Sequence, residues 1–262
     1  VKTVLEIDIV RVDVAAGKAE KKTDYVAEER PLHLFLNRTR YATIFCSPFN
    51  LKELAIGHVI SEGIIKSVEE IERTSLKNEV CRIYLKENVD VEERLRLSHR
   101  FSRVILSACG SESAFLPQPH LARIRLDLRV KAKIVLDAVH NLNSIAETYR
   151  KTGGVHVAAL YKSDGAVVAL AEDVGRHNAV DKVIGIGALG GVDFGECFLA
   201  LSGRLTGDIV FKAARVNLPV VASLAAAIDS GINLARNVDL TLIGFVRGKR
   251  MNVYTLPERI SI

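Results

Sequence analysis

The stretch from Ala166 to Lys182 constrains the chain most. An apolar run, Ala166 to Leu170, leads into the acidic pair Glu172-Asp173, then Gly175, then Arg176-His177-Asn178, then an amphipathic segment. That order reads as strand, tight turn and helix start. Gly175 supplies a turn that a residue with a Cβ resists, and Asn178 or Asp173 is placed to satisfy the free amides of the helix. Packing by itself asks for none of the four polar side chains crowded at this junction. Two more strand-to-loop junctions carry the same signature, Ser202-Gly203-Arg204 and Phe245-Val246-Arg247-Gly248-Lys249-Arg250. Loops at the strand ends of an α/β sheet are where ligands usually sit.

The rest of the chain supplies the sheet those loops belong to. Val1 to Val14 and Asp24 to Arg30 read as strands around a turn at Gly17. Pro31 breaks the run, Leu32 to Leu36 resumes it, and Tyr41 to Cys46 is β-rich. Asn50 with Glu53 three residues on reads as a capping arrangement for a helix from Leu51 to Ser61. Ser67 to Arg73 is a weaker helical patch, Val80 to Leu85 alternates as a strand, and Glu87 to Arg100 is charged and ambiguous. Val104 to Ser107 is a short strand running into Ala108-Cys109-Gly110-Ser111, with Pro117 and Pro119 marking a loop beyond it. Val135, Val139, Leu142, Ala146 and Tyr149 recur at helical spacing and predict one helix, closed by Gly153-Gly154. Val155 to Tyr161 and Ala166 to Leu170 form a hairpin over Asp164-Gly165. Strands follow at Cys197 to Leu201, Val220 to Ala222, Leu240 to Phe245 and Asn252 to Leu256. Helices fall at Ala179 to Gly185, Asp208 to Val216 and Ile232 to Asn237. The fold class is α/β (α+β): a β-rich N-terminal domain, residues 1–127, and a helix-covered sheet domain, residues 128–262.

With 262 residues the chain can fill a large core. Its longest uncharged apolar stretch, near Val216 to Ile228, is short of a bilayer span and interrupted by Pro219. The expectation is a cytoplasmic protein with no membrane segment and no secretion leader. A net charge of +5 favours anionic partners without naming them. There is no Trp, and no aromatic stripe is interleaved with Lys and Arg, so nucleic-acid binding is not expected. The four cysteines are scattered, without a C-x-x-C pair or zinc-ligand spacing, and no metal site is expected. Cys46, Cys81 and Cys197 sit in apolar strands and read as small buried hydrophobes. Cys109 differs: it lies just past a strand end, beside Gly110, in a loop of small polar residues that gives its sulfur access. Taken from context alone, a functional and a structural role for it are equally well supported.

Arg176 and His177, at a helix start, suit a phosphate. Arg204 repeats the arrangement between Gly203 and a cap at Thr206, and Arg247-Gly248-Lys249-Arg250 adds a third basic turn. Three such loops from one sheet point to a shared anionic pocket. Thr152-Gly153-Gly154-Val155-His156 has a histidine but Ala158 where a zinc deaminase needs its acid, and no Pro-Cys-x-x-Cys follows. No G-x-x-x-x-G-K-[ST] phosphate loop and no G-x-S-x-G elbow occur either.

Several segments, in order from Glu53 onward, resemble the formate dehydrogenase accessory sulfurtransferases of the FdhD family. They are Glu53-Leu54-Ala55-Ile56-Gly57-His58 with Glu62-Gly63-Ile64-Ile65, Ser107-Ala108-Cys109-Gly110, Thr152 to His156, Glu172 to Lys182, Ser202-Gly203-Arg204, and Gly244 to Thr255. The resemblance implies a C-terminal cytidine deaminase-like domain without zinc. It implies a cysteine desulfurase that loads sulfur as a persulfide on Cys109. It also implies delivery of that sulfur to a molybdenum cofactor, molybdenum bis(molybdopterin guanine dinucleotide), before insertion into formate dehydrogenase, and a homodimer is expected of the fold. Phe245, Val246, Arg247, Gly248, Lys249 and Arg250 match the cofactor-binding segment, and Arg204, Arg176 and His177 join them as binding residues. Two departures stand out. Glu112 and Ser113 occupy the place where the family often repeats Cys-Gly, and Ala227 stands near a position where many members carry proline. The alternative is a binding and delivery chaperone for the molybdenum cofactor or guanine nucleotides, without sulfur chemistry of its own.

Overall fold

The computed structural model describes residues 4–95, 121–125 and 127–262. The strand expected at Val104 to Ser107, Cys109 and its loop, and the prolines that follow lie outside the described residues.

Strands β1 (Val4–Asp13) and β2 (Lys18–Ala27) pair antiparallel as a long hairpin. Next come β3 (Arg30–Leu36), β4 (Thr39–Cys46), helix α1 (Leu51–Ser61), β5 (Ile71–Lys77) and β6 (Val80–Leu85). These four strands form a sheet in the order β4-β3-β6-β5. Residues 91–95 are helical and are labelled α2. After the short β7 (Val130–Lys131) the chain continues through α3 (Ala132–Ile145), α4 (Glu147–Thr152), β8 (His156–Lys162), β9 (Val167–Asp173), α5 (Arg176–Leu189) and β10 (Cys197–Leu201). Helix α6 (Gly207–Arg215), β11 (Val220–Ser223), α7 (Asp229–Asn237), β12 (Thr241–Arg247), β13 (Arg250–Val253) and β14 (Ile260–Ser261) complete it. The larger sheet runs β13-β12-β11-β10-β8-β9. Its centre, β10-β11-β12, is parallel, whereas β8, β9 and β13 run antiparallel to their neighbours.

Period-two alternation sorts the side chains of this sheet onto two faces. Ala158, Leu160, Leu199, Leu201, Val221 and Leu242 join the core shared with α5, α6 and α7. Val157, Ala159, Tyr161, Phe198, Ala200, Val220, Ala222 and Ile243 pack against α3 on the other face. The first of these cores continues into α1 and the inner face of the four-stranded sheet, with Leu32, Leu34, Leu36, Cys81 and Ile83. A single core therefore runs across the boundary placed at residue 127. Helices α1 and α5 cross so closely that a Cβ on Gly57 would lie 1.7 Å from the Asp181 carbonyl oxygen. That crossing ties the N-terminal sheet to the helix that opens at Arg176.

Several elements differ from the sequence reading for local reasons. Strand β3 runs through Pro31, because β6 pairs with β3 only from His33 onward; at Pro31 the strand has one neighbour, where a missing N–H is tolerated. Ser67 to Arg73 is not a helix. Ser67 caps a single 3-10 turn, Val68–Glu70, and β5 then begins at Ile71. Asn50 does precede α1, but with a left-handed backbone (φ 50°) and no side-chain cap. The helix expected from Val135 to Tyr149 is two helices, broken at Ala146, whose extended ψ of 104° interrupts the turn. The carboxylate of Glu172 accepts the backbone N–H groups of Thr148 (3.0 Å) and Tyr149 (2.7 Å), and so supplies the start of α4 with partners. Gly153 closes α4 in the left-handed region, as expected.

Candidate functional site

Strand directions fix which loops meet. Because β10, β11 and β12 are parallel, the segments after Leu201, Ser223 and Arg247 all leave from one end of the sheet. Strand β8 is antiparallel to β10, so its start at His156 lies at that end, and β9 brings Asp173 back beside His156 in register. The three junctions singled out in the sequence therefore share one edge, joined by His156 and by residues 224–228.

Hydrogen bonds bind these loops into a continuous rim. The Ser223 hydroxyl donates to the Gly203 carbonyl at 2.6 Å, and Leu205 N–H to the Ala226 carbonyl at 3.0 Å. Phe245 N–H donates to the Ala225 carbonyl at 2.9 Å, and Arg247 Nε to the Leu224 carbonyl at 2.8 Å. Arg176 lies against Gly203, where a Cβ would stand 2.9 Å from its own Cβ. Glycine is what lets the two loops close up. Residues 245–250 straddle a register shift between β12 and β13. Phe245 holds a left-handed backbone, φ 50°, and its ring is exposed; Val246 is fully buried; Arg247, Gly248, Lys249 and Arg250 are exposed. Of the matched segment, Val246 anchors the turn in the core and the rest is presented to solvent.

The electrostatics at this edge are those of crowded cations. The Arg176 guanidinium is pushed below its ordinary range by burial and by Arg204 beside it, with Asp208 opposing. Burial, reinforced by Arg176 and Lys212, brings the His177 imidazole down to about 4. His156 is lowered by burial and by Arg176 and Arg204. Both histidines are therefore neutral at pH 7. Among the described residues, Arg176 Nε, His177 Nε2 and Thr206 Oγ1 are buried here without a hydrogen-bond partner, the nearest Asp208 oxygen standing 3.9 Å from His177 Nε2. Thr206 occupies the N-cap position of α6, but its side chain makes no capping bond. Unpaired buried polar atoms are uncommon and call for an explanation. The three atoms converge on one rim of the sheet edge.

The neighbouring polar residues of the same stretch have a different job, and packing does ask for them. Asp173 forms a fully buried ion pair with Lys182 at 2.7 Å. Its oxygens also accept from Ser47 N–H (3.1 Å), Gly175 N–H (2.9 Å) and Asn178 Nδ2 (2.9 Å). Lys182 donates to the Ser47 and Glu172 carbonyls and lies over the Phe49 ring at 3.9 Å. Asp181 accepts from His58 Nδ1 (3.0 Å), the Ser61 hydroxyl (2.6 Å) and Lys212 Nζ (3.0 Å). Asp173 and Asn178 do not cap α5; Asp173 holds the turn before it, and Asn178 reaches across to the Phe45 carbonyl. Periodicity hid this, because α5 is buried nearly all round and shows no apolar stripe.

Cys46, Cys81 and Cys197 are buried, as expected, and burial pushes their thiols up, to about 12 for Cys46 and about 11 for Cys81. None of the three is poised as a thiolate. His156 and Ser202 belong to the rim, although the sequence analysis names neither among the binding residues. The signal available was their position at strand ends facing the same edge. No helix among the described residues is long and apolar enough to cross a membrane.

The comparisons with known proteins fall on this chain almost end to end. The model of the FdhD/NarQ family matches residues 27–261. A protein of Methanothermobacter thermautotrophicus named sulfur carrier protein FdhD is 36% identical, covering 97% of this chain and 98% of its own. Proteins of the same name from Shouchella clausii and Bacillus subtilis are 34% and 32% identical, covering 94% and 93% of each chain. A crystal structure described as a formate dehydrogenase accessory protein, from Desulfotalea psychrophila, superposes with a TM-score of 0.79 at 25% identity, over 99% of this chain and 100% of that one.

Proposed function

The chain belongs to the FdhD/NarQ family, and on that premise we propose that it is a sulfur carrier serving formate dehydrogenase, with Cys109 as the carrying residue. The Cys109 thiolate attacks the terminal sulfur of a persulfide on a cysteine desulfurase. A sulfur–sulfur bond forms at Cys109 as the donor's breaks, and the donor cysteine leaves as its thiolate. The loaded sulfur would then pass to the molybdenum bis(molybdopterin guanine dinucleotide) client at the loop edge: the sulfur–sulfur bond at Cys109 breaks, Cys109 leaves as its thiolate, and the two electrons that take the transferred sulfur to sulfide come from the reduced client or a thiol reductant. There Arg176, Arg204, Arg247, Lys249 and Arg250 bind its pyrophosphates, and the exposed Phe245 ring offers a flat face to a guanine or pterin. His177, neutral at pH 7, contributes a hydrogen bond rather than charge.

The observation that carries the binding half of this reading is the set of unpaired buried atoms, Arg176 Nε, His177 Nε2 and Thr206 Oγ1, on a rim shared by three arginine-bearing loops. A ligand rich in phosphate oxygens supplies what those atoms lack. The strand order β9-β8-β10-β11-β12, with a parallel centre, is further read as the deaminase-like arrangement without its zinc. This reading places the protein in the cytoplasm, as a homodimer. The second reading, a delivery chaperone without sulfur chemistry, is favoured by Glu112 standing where the family often has its second cysteine.

Intact-protein mass spectrometry after incubation with a cysteine desulfurase and cysteine separates the two. The expected result is a reductant-labile adduct of one sulfur on the wild type and none on Cys109→Ala. An adduct of equal yield on the variant, or none on either protein, hands the function to the chaperone reading.

A further inference from the structure

His156 opens β8 at the edge where the arginine loops meet, half-buried and in register with Asp173. Ser202, the first residue after β10, lies beside it. The Ser202 Oγ accepts the Val157 N–H at 3.0 Å and stands 3.3 Å from His156 Nδ1. A hydroxyl so placed has one lone pair occupied by the amide and keeps both a proton and a second lone pair for the ring. When the imidazole is neutral, the hydroxyl donates to Nδ1 and the ring carries its proton on Nε2. When the imidazole is charged, Nδ1–H donates to the free lone pair. Ser202 thus serves both charge states without any heavy atom moving, and protonation costs no rearrangement.

The charges around the ring decide which state is populated. From α5 comes Arg176 and from the loop after β10 comes Arg204, both disfavouring a third positive charge; from β9 comes Asp173, which favours it. Asp173 is already paired with Lys182 at 2.7 Å, which blunts its pull. A phosphate settling against the two guanidinium groups reverses this balance, because its negative charge attracts what the arginines repelled. We propose that His156 is a further binding residue of this site, and that a pyrophosphate docking beside Arg176 and Arg204 is taken up together with a proton on its imidazole. This rests on the reading of the loop edge as the cofactor site and adds to it a proton-linked grip that strengthens as pH falls.

The sign follows from linkage. The free ring titrates below its ordinary value and the liganded ring above the free one. Affinity therefore rises as pH falls through the liganded value and levels off below the free one, by at most about tenfold per pH unit. The probe should not titrate itself. A di(guanosine-5′) pyrophosphate meets this condition, since its bridging phosphates stay fully ionised from about pH 5 to 8.

Calorimetric titration of the full chain with this probe, in buffers of differing ionisation enthalpy, counts the protons taken up. Wild type should take up a proton fraction that approaches about one per ligand in the window between the free and liganded values. In His156→Gln, a neutral ring-sized donor, uptake should vanish and affinity should lose its pH dependence while binding persists at high pH. His177→Gln, which removes a hydrogen-bonding group of the same site, should weaken binding about equally at every pH while keeping the proton uptake per bound ligand and the slope of affinity against pH. Uptake that survives in His156→Gln, disappears in His177→Gln, or is absent from the wild type while the probe binds overturns the assignment to His156 and leaves the cofactor site standing. A probe that fails to bind the wild type at any pH removes the cofactor site and this inference together.

Discussion

The first turn of α5 and its second turn are built from the same kinds of residue and reach opposite states. In the second turn, Asp181 and Lys182 are buried and surrounded by partners drawn from the loop after β4, from α1, from β9 and from α6. In the first turn, Arg176 and His177 carry buried nitrogens that the described residues leave unpaired. Only three residues lie between the two pairs. Where the chain supplies every partner, a polar side chain has been used to join two layers, the α1 side to the six-stranded sheet. Where the described residues supply none, the proposed function has a ligand's oxygens take that place. On that proposal the motif is two devices laid end to end, a clamp and a receptor. The clamp holds the receptor's backbone still: Asp173 fixes the Gly175 N–H one residue before Arg176.

The largest effect expected from breaking this contrast is in the clamp. Lys182→Met leaves the Asp173 carboxylate buried without its cation, a loss of about 3–5 kcal/mol in unfolding free energy. Urea denaturation should show the midpoint fall with the slope unchanged. Replacing both partners with apolar residues of similar volume, Lys182→Met with Asp173→Leu, should recover part of that loss in the ion-pair term, although the Ser47 and Gly175 amides would then lack their acceptor. A cost for Lys182→Met within the range of ordinary surface changes, about 0.5 kcal/mol, would mean that the pair does not clamp the layers.

The receptor should respond the other way. Arg204 is exposed, so Arg204→Ala should leave stability within about 0.5 kcal/mol of wild type. Loss of one charge-assisted bond of about 1.5–3 kcal/mol should weaken binding of a guanine dinucleotide pyrophosphate roughly tenfold to a hundredfold. Calorimetry and thermal melts on the same preparation read both numbers. A variant that melts early and binds normally would place Arg204 with the clamp.

Much of this was legible beforehand, and the failures have a common cause. Strand alternation in β8, β10 and β12, the Asp164-Gly165 hairpin and the three basic junctions were readable because each is local: a pattern of two, a turn dipeptide, a glycine before an arginine. That the junctions share an edge was readable too, since parallel strands must release their loops together. The ends of α5 were not. Its helix reads as Ala179 to Gly185, yet it spans Arg176–Leu189, because a helix enclosed by two layers has no polar face to give a period. The roles of Asp173, Asn178 and Lys182 were also out of reach, since their partners Ser47, Phe45 and Phe49 lie more than a hundred residues earlier. The weak helical patch read at Ser67 to Arg73 takes in only the first three residues of β5, whose strand character comes from pairing with β6.

The finest test of the contrast is in acid, since it leaves stability near neutral pH untouched. In the clamp, Asp181 is held below its ordinary value despite the opposing effect of burial, because Lys212 and the hydrogen bonds of His58 and Ser61 favour its charge. Its contribution is complete above the unfolded carboxylate value and is lost only as pH falls through the lower folded one. Between about pH 6.5 and 5 Asp181 therefore adds no slope. His177 behaves oppositely. Burial and the cations Arg176 and Lys212 bring it to about 4 in the folded chain, whereas unfolded histidine titrates near 6.5. Across that interval the unfolded chain binds a proton that the folded chain refuses, so stability declines as pH drops. His177→Gln should make the decline shallower without moving the stability at pH 7.5, measured by urea unfolding at stepped pH. An unchanged slope would mean that His177 already shares its proton with a partner in the folded chain, and the first turn of α5 would then be as fully satisfied as the second.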